Sequence, residues 1–400
     1  MPKRVAIIGA GPAGLMAAEV LSQYDYEIEV FEQKPSAARK FLMAGKTGLN
    51  ISHAEPVEAF IQRYDQAEWL APWVKQWDAQ WIQDWMQGLG IESYVGSSGR
   101  VFPVEMKAAP LLRAWLKRLM NDGVKFHYRH RCVDLSNNQL IIENQTQQFS
   151  ETYDAIVLAC GAVSWPQLGS DGAWQQWLPK HEIEPFQASN AGVLKTWSPF
   201  MQECFGQPLK RVNAWVWPEQ QTHGDIIITH YGFESGVIYK LGRDLRMQLA
   251  QQQPLQLHLD LLPDISVEQL ENKLQGNKKQ SLTNLWRKAG LDQVKINLLR
   301  EIVDKSLWSD AKQIALQIKH LSISLDGFRP IEEAISCAGG VKQEVLSPQL
   351  QLQSHPYVFC CGEMLDWDAP TGGYLLTACF ATGRAAGEGV HQLLDRSSTR

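Results

Sequence analysis

The chain has 400 residues and a mass of 45.2 kDa, which at about 100 to 200 residues per domain allows two or three domains with cores of their own. Hydrophobic residues make up 44% and charged residues 20%, a balance that excludes a disordered chain and a membrane-embedded bundle. A net charge of −5 gives no overall attraction to polyanions, and seven cysteines without paired spacing argue against a secreted disulfide framework and for a reducing compartment, the cytoplasm.

Met1 to Arg4 ahead of VAIIGAGPAGLMAA mimics a secretory signal, but Gly9, Gly11, Pro12 and Gly14 interrupt the apolar run and assign it to the fold. No stretch of about 18 apolar residues occurs elsewhere, so no membrane partner is expected. Arg4 to Ile8 predicts a buried parallel strand and Leu15 to Leu21 a packed helix. Between them Gly9 permits a tight turn, Gly11 lets the backbone approach a pyrophosphate, and Gly14 lets the helix lie close to the strand. Pro12 costs no helical hydrogen bond there, and the free amides of the turn, Ala13 included, point at the phosphates. A second strand, Glu27 to Phe31, delivers Glu32 and then Gln33; Glu32 lies 18 residues beyond Gly14, where a carboxylate accepts both hydroxyls of an adenosine ribose. The unit predicts a dinucleotide site and leaves NAD and FAD open, because both carry the same adenosine diphosphate half.

Trp69, Trp73, Trp77, Trp81 and Trp85 fall every fourth residue, a stripe that winds part-way round a helix and reads as core packing or as a stacking platform. From Arg100 to Arg131 eight basic residues face two acids, a local charge of +6. That stretch is either a solvated helix face or a phosphate-facing patch. Farther on, Val212 to Trp217, Asp225 to Thr229 and the alternating Leu255, Leu257, Leu259 and Leu261 predict strands, and 266–275, 281–289, 295–304 and 310–319 predict helices. Tyr357 to Cys361 predicts another buried strand, followed by Gly362 and the pair Gly372 and Gly373 opening a helix. That helix start suits a pyrophosphate or an anionic reduced flavin, and Glu363 and Asp366 can take ribityl hydroxyls.

The two ends of the chain together resemble the two-dinucleotide-fold flavoproteins of the glutathione reductase superfamily, and more narrowly the BaiN/YhiN-like family of NAD(P)/FAD-dependent oxidoreductases. The motifs are GAGPAG at 9–14, AGKTGLNIS at 44–52, YDAIVLACGAVSWPQLGSDG at 153–172, THYG at 229–232, CAGGV at 337–341 and CGEMLDWDAPTGGY at 361–374. The resemblance implies FAD as cofactor. Gly9, Gly11, Pro12, Ala13, Gly14, Glu32 and Gln33 would hold the adenosine diphosphate, Val133 the adenine by backbone contact, and Gly161 the pyrophosphate side. Residues 40–52, Lys40 and Asn50 among them, would line the flavin, with Gly362, Glu363, Asp366, Gly373, Tyr374 and Leu375 at the ribityl and isoalloxazine. The chain departs from the family pattern S-G-x-G-R-C-N with Gly48 and Leu49, and from T-A-G-G-V and G-G-Y-N with Cys337 and Leu375. The fold class implied is α/β: a Rossmann-like FAD-binding domain built from both ends, 1–189 and 326–400. Between them come an inserted β-barrel-like domain at 190–263 and a small helical cap at 264–325.

Cysteines and histidines lack metal-ligand spacing, no G-x-S-x-G elbow is present, and adjacent Cys360 and Cys361 point to opposite faces of a strand. With no redox C-x-x-C pair, hydride would pass straight from flavin to substrate. Only one glycine fingerprint occurs, so NAD(P)H would dock transiently near the flavin or bind in the insertion. The leading expectation is hydride transfer from NAD(P)H through flavin N5 to an electron-poor C=C bond of a small molecule, since relatives are linked to unsaturated steroid-type acids. Reduction of uridine in ribosomal RNA is the alternative, and an oxidase or a non-catalytic flavin-binding protein are two more. The reduction needs a proton donor; His230 and Cys337 are the candidates, each set against a purely structural role.

Overall fold

The apolar run after Lys3 forms the central strand of a parallel sheet in the computed structural model, which describes residues 2–45, 48–275 and 281–398. This strand, β1 (Lys3–Ile8), is followed by helix α1 (Pro12–Leu21) and strand β2 (Tyr26–Glu32). The sheet has five strands in the order Val358–Cys360, Ala155–Leu158, β1, β2 and Lys125–Tyr128. Val5 pairs with both Ala155 and Ile28, and all neighbours run parallel. Covered on both faces, such strands lose their alternation; Val5, Ala6 and Ile7 are fully buried. Helix α1 lies against the long helix Tyr374–Ser398, and the packing is close because a methyl on Gly383 would come within 2.3 Å of the Ala13 carbonyl. Leu15, Met16 and Leu21 are completely buried, each worth roughly 1.5 to 3 kcal/mol of burial.

The tryptophan stripe departs from the single winding helix expected of it. It occupies two helices, Ala67–Gln76 and Ala79–Gly88, because Asp78 caps the second by accepting from the Trp81 amide. The stripe turns inward at Trp77 and Trp85, which are buried, while Trp69, Trp73 and Trp81 pack partly buried against the same core.

Contacts divide the chain into two units, residues 1–187 with 336–400 and residues 188–335. In the second, seven strands form an open antiparallel sheet in the order Leu321–Ser324, Gln256–Asp260, Pro208–Trp215, Thr222–Thr229, Gly232–Glu234, Val193–Leu194, Gly327–Phe328. Helices follow at Val267–Leu274, Leu282–Ala289, Gln293–Ile302 and Ala311–Lys319, each started by a side-chain cap, from Ser266, Ser281, Asp292 and Asp310. Leu257 and Leu259 of the sheet share one apolar core with Leu270, Trp286, Leu298 and Ile314 of the helices. The sheet expected at 190–263 and the helices expected at 264–325 thus lie within one unit and share one apolar core. No helix among the described residues is long and apolar enough to cross a membrane.

Candidate functional site

The carboxyl ends of β1, β2 and the strand Ala155–Leu158 open into a cleft within the first unit, the place where an open parallel sheet binds ligands. Gly9 turns the chain there at φ +106°, and a side chain on it would meet the Ala159 carbonyl at 2.4 Å. A methyl on Gly14 would lie 2.0 Å from the Gly9 carbonyl, whereas one on Gly11 would meet no protein atom within 4 Å. Gly11 thus faces empty space at the N-cap of α1, a helix start without any side-chain cap. That opening is the cradle a diphosphate needs, with unpaired amides and the positive end of the helix turned toward it.

Glu32 closes one side. Its carboxylate accepts from the Ala10 amide at 3.1 Å and the Lys34 amide at 2.8 Å, which fixes its direction and leaves further lone pairs for ribose hydroxyls. Burial raises its pKa above the ordinary carboxyl value, against the pull of those amides. Gln33 reaches the Gly169 carbonyl at 2.7 Å and ties the far wall to β2. Val133 lies in the strand Arg131–Ser136, where the register slips between Cys132 and Asp134, so it is the bulged residue of its ladder. Its carbonyl accepts from Trp177 Nε1 at 3.1 Å. Arg131, Cys132 and Trp177 line the cleft, and Val133 itself does not. Gly161 lines it too, its carbonyl held by Trp174 Nε1 at 2.9 Å.

On the other side Lys40 Nζ bonds Ser164 Oγ at 2.7 Å and Glu363 at 2.8 Å. This joins the segment after β2 to the segment that begins at Gly362, itself placed against Ala13 of the helix start. Cys337, on the strand Ser336–Val341, is buried; burial raises its thiol above the ordinary value, and hydrogen bonds with the Val163 backbone and the Ser164 side chain pull the other way.

Pro12 and Ala13 line the cleft, whereas Asn50, Asp366, Gly373, Tyr374 and Leu375 do not. Gly373 backs onto Ser52, and Ser52 Oγ bonds Thr377 Oγ1 at 2.9 Å, so segments 50–55 and 372–377 abut. Tyr374 donates to Glu55 at 2.5 Å and Glu55 is gripped by Arg63 at 2.6 Å. Asn50 carries a buried Oδ1 with no partner among the described residues. Leu375 packs against the core. Asp366 sits among like charges: burial, with Asp65, Glu184 and Glu344 nearby, pushes it up to about 6. Lys46 and Thr47 of the AGKTGLNIS segment lie outside the described residues. His230 belongs to the second unit, at the turn between Thr222–Thr229 and Gly232–Glu234, and lines a cleft there with Lys195, Trp197, Phe205 and Tyr231.

Sequence reading missed Arg39, Ser164, Trp174 and Trp177. The tryptophans act through ring N–H groups on carbonyls distant in sequence, Ser164 sits inside the quoted motif at 153–172 without standing out from it, and Arg39 carries no local motif.

A family model described as "HI0933-like protein Rossmann domain" matches residues 3–389. A relative named 3-dehydro-bile acid delta(4,6)-reductase, from Clostridium scindens, is 24% identical over 407 aligned residues, spanning 96% of this chain and 98% of that protein. Among solved structures, a flavocytochrome c3 fumarate reductase in its open conformation aligns with a TM-score of 0.52 at 14% identity, over 98% of this chain and 78% of that one. The 3-ketosteroid-delta4-(5alpha)-dehydrogenase from Rhodococcus jostii RHA1, in complex with 4-androstene-3,17-dione, aligns with a TM-score of 0.52 at 13% identity, over 97% of each chain. These two likenesses establish a shared fold.

Proposed function

Because this chain belongs to the HI0933-like family and is a flavoprotein oxidoreductase of Rossmann fold, we propose that it uses FAD to reduce an electron-poor C=C bond of a small molecule, with NAD(P)H as transient donor. The observation that carries this reading is the cleft itself. One cavity holds the glycine turn with its open cradle at Gly11, Glu32 and the Lys40–Glu363 pair. The end-to-end match to a protein named as a bile acid reductase supports the choice of a C=C bond, and a steroid-type unsaturated ketone is the substrate class it suggests.

When bound, FAD supplies the hydride that such a reduction adds to one carbon. The chain's own part is to hold the diphosphate on the turn of α1, to fix the ribose at Glu32, and to supply a proton to the second carbon. Cys337 is the candidate donor within the first unit, since burial keeps its thiol protonated and Ser164 links it to Lys40; His230, the other candidate, belongs to the second unit.

A second reading, reduction of uridine in ribosomal RNA, draws on the basic stretch. Arg118, Lys125 and Arg131 are spent in ion pairs with Glu19, Glu27 and Asp171, but Arg100, Lys107, Arg113, Lys117 and Arg129 remain exposed and available to phosphates. One experiment separates the readings. Protein reduced without oxygen is mixed with a steroid-type enone or with ribosomal RNA, and the return of the flavin band is followed. Reoxidation by the enone, with a product two hydrogens heavier, is the expected result. Reoxidation by RNA alone would transfer the assignment to uridine, and reoxidation by oxygen alone would contradict both.

A further inference from the structure

Three cations line the cleft, Arg39, Lys40 and Arg131. Two are neutralised by acids of the same cleft: Lys40 by Glu363 at 2.8 Å, and Arg131 by Asp171 at 3.6 Å. Arg39 is different. It makes no ion pair or hydrogen bond among the described residues, and its Nε is buried without a partner. A buried guanidinium N–H left unmade costs about 1 to 3 kcal/mol, so a fold that keeps one reserves it for a ligand or tolerates a defect.

The backbone argues for the reserved group. Ala38, just before Arg39, adopts the left-handed conformation at φ +52°, which an alanine accepts only at a cost of roughly 1 to 2 kcal/mol. Its amide donates to the Ala10 carbonyl at 2.9 Å, inside the glycine turn. The strained residue therefore ties the start of the segment after β2 to the diphosphate turn and carries Arg39 into the cleft that this turn opens.

We propose that Arg39 is the counter-ion of the FAD diphosphate, and that Lys40, the neighbouring cation, is a positioning residue for Glu363 that does not meet the phosphates. The inference rests on the flavin reading above and refines it. A diphosphate brings two negative charges to a cleft whose acids are Glu32, Asp171 and Glu363. The helix start offers partial positive charge only, so a full cation is needed, and Arg39, whose charge Glu32 feels but which no acid among the described residues pairs directly, is the one available. A guanidinium also suits the task, since its planar fork bonds two phosphate oxygens at once.

The test is reconstitution of apoprotein with FAD, following the quenching of flavin fluorescence as ionic strength is raised. In the parent, affinity falls with salt. Arg39→Met is expected to weaken FAD binding roughly ten- to hundredfold and to flatten the salt dependence, because the screened charge has gone. Arg39→Lys, which keeps the charge and loses the fork, should fall between the two and guards against a Met variant that does not fold. Lys210→Met, which removes an exposed cation of the second unit, should retain the parent's affinity and its salt dependence. Unchanged affinity in Arg39→Met, or weakened affinity with the parent's salt dependence, would overturn the inference. A parent apoprotein that takes up no FAD at all would overturn the flavin reading and this inference with it.

Discussion

Gly11 and Gly14 stand three residues apart in one turn, yet an added methyl meets opposite surroundings at the two. At Gly14 it would strike the Gly9 carbonyl at 2.0 Å and Ala159 Cβ at 3.2 Å; at Gly11 it would enter the open cradle. Gly14→Ala is therefore predicted to destabilise the apoprotein by roughly 1 to 3 kcal/mol, the usual range for overpacking. Gly11→Ala should leave apoprotein stability within about 0.5 kcal/mol of the parent while lowering FAD affinity. Denaturant melts of both apoproteins, set beside FAD titrations, check the pair, and equal destabilisation at the two sites would refute the assignment of Gly11 to the ligand. Much of this was legible in the sequence, because strand, glycine spacing and the acid after the second strand are all local. The choice between Arg39 and Lys40 was not. It depends on Glu363, 323 residues away from Lys40, and no local pattern reports which neighbour that carboxylate takes.

Strand β2 is stitched to its neighbours by one acid. Glu29 bonds Arg4 of β1 at 3.0 Å, His127 of the outer strand at 3.1 Å and the Tyr153 hydroxyl at 3.0 Å. Hydrogen bonding to His127 leads the causes that lower its pKa from 4.5 to about 2, with Tyr153 and Arg4 adding to it and burial opposing. A folded value below the unfolded one means stability that is present above about 4.5 and is lost as the pH falls toward about 2. Glu29→Gln should thus lower stability at neutral pH and lose less of it across that acid window, as denaturant unfolding at stepped pH would show; a parallel acid loss in parent and variant would contradict it. Elements were legible wherever a pattern repeats over several turns, as in the four helices after Pro263, whose Ser and Asp caps mark their starts. The tryptophan stripe misled because its spacing of four continues across Asp78, where the cap starts a new helix. Asp before an apolar run is a start signal, and here it outweighed the period.

At the scale of the whole molecule, the sequence placed the cofactor motifs at both ends, and the structure assembles them into one cleft in one unit. The insertion was harder to read, since a sheet and helices that share a core look like separate segments until their contacts are known. The eight basic residues of 100–131 likewise looked like one patch, and three of them turn out to be engaged with acids of other segments. The central claim, a cleft that binds FAD and cycles it with a nicotinamide donor, is tested most directly by titrating the purified protein with NADPH and with NADH in the absence of oxygen, following the visible flavin band. The account predicts a yellow protein whose band bleaches with one of the two. A protein without a flavin band, or a band that neither nucleotide bleaches, would contradict it.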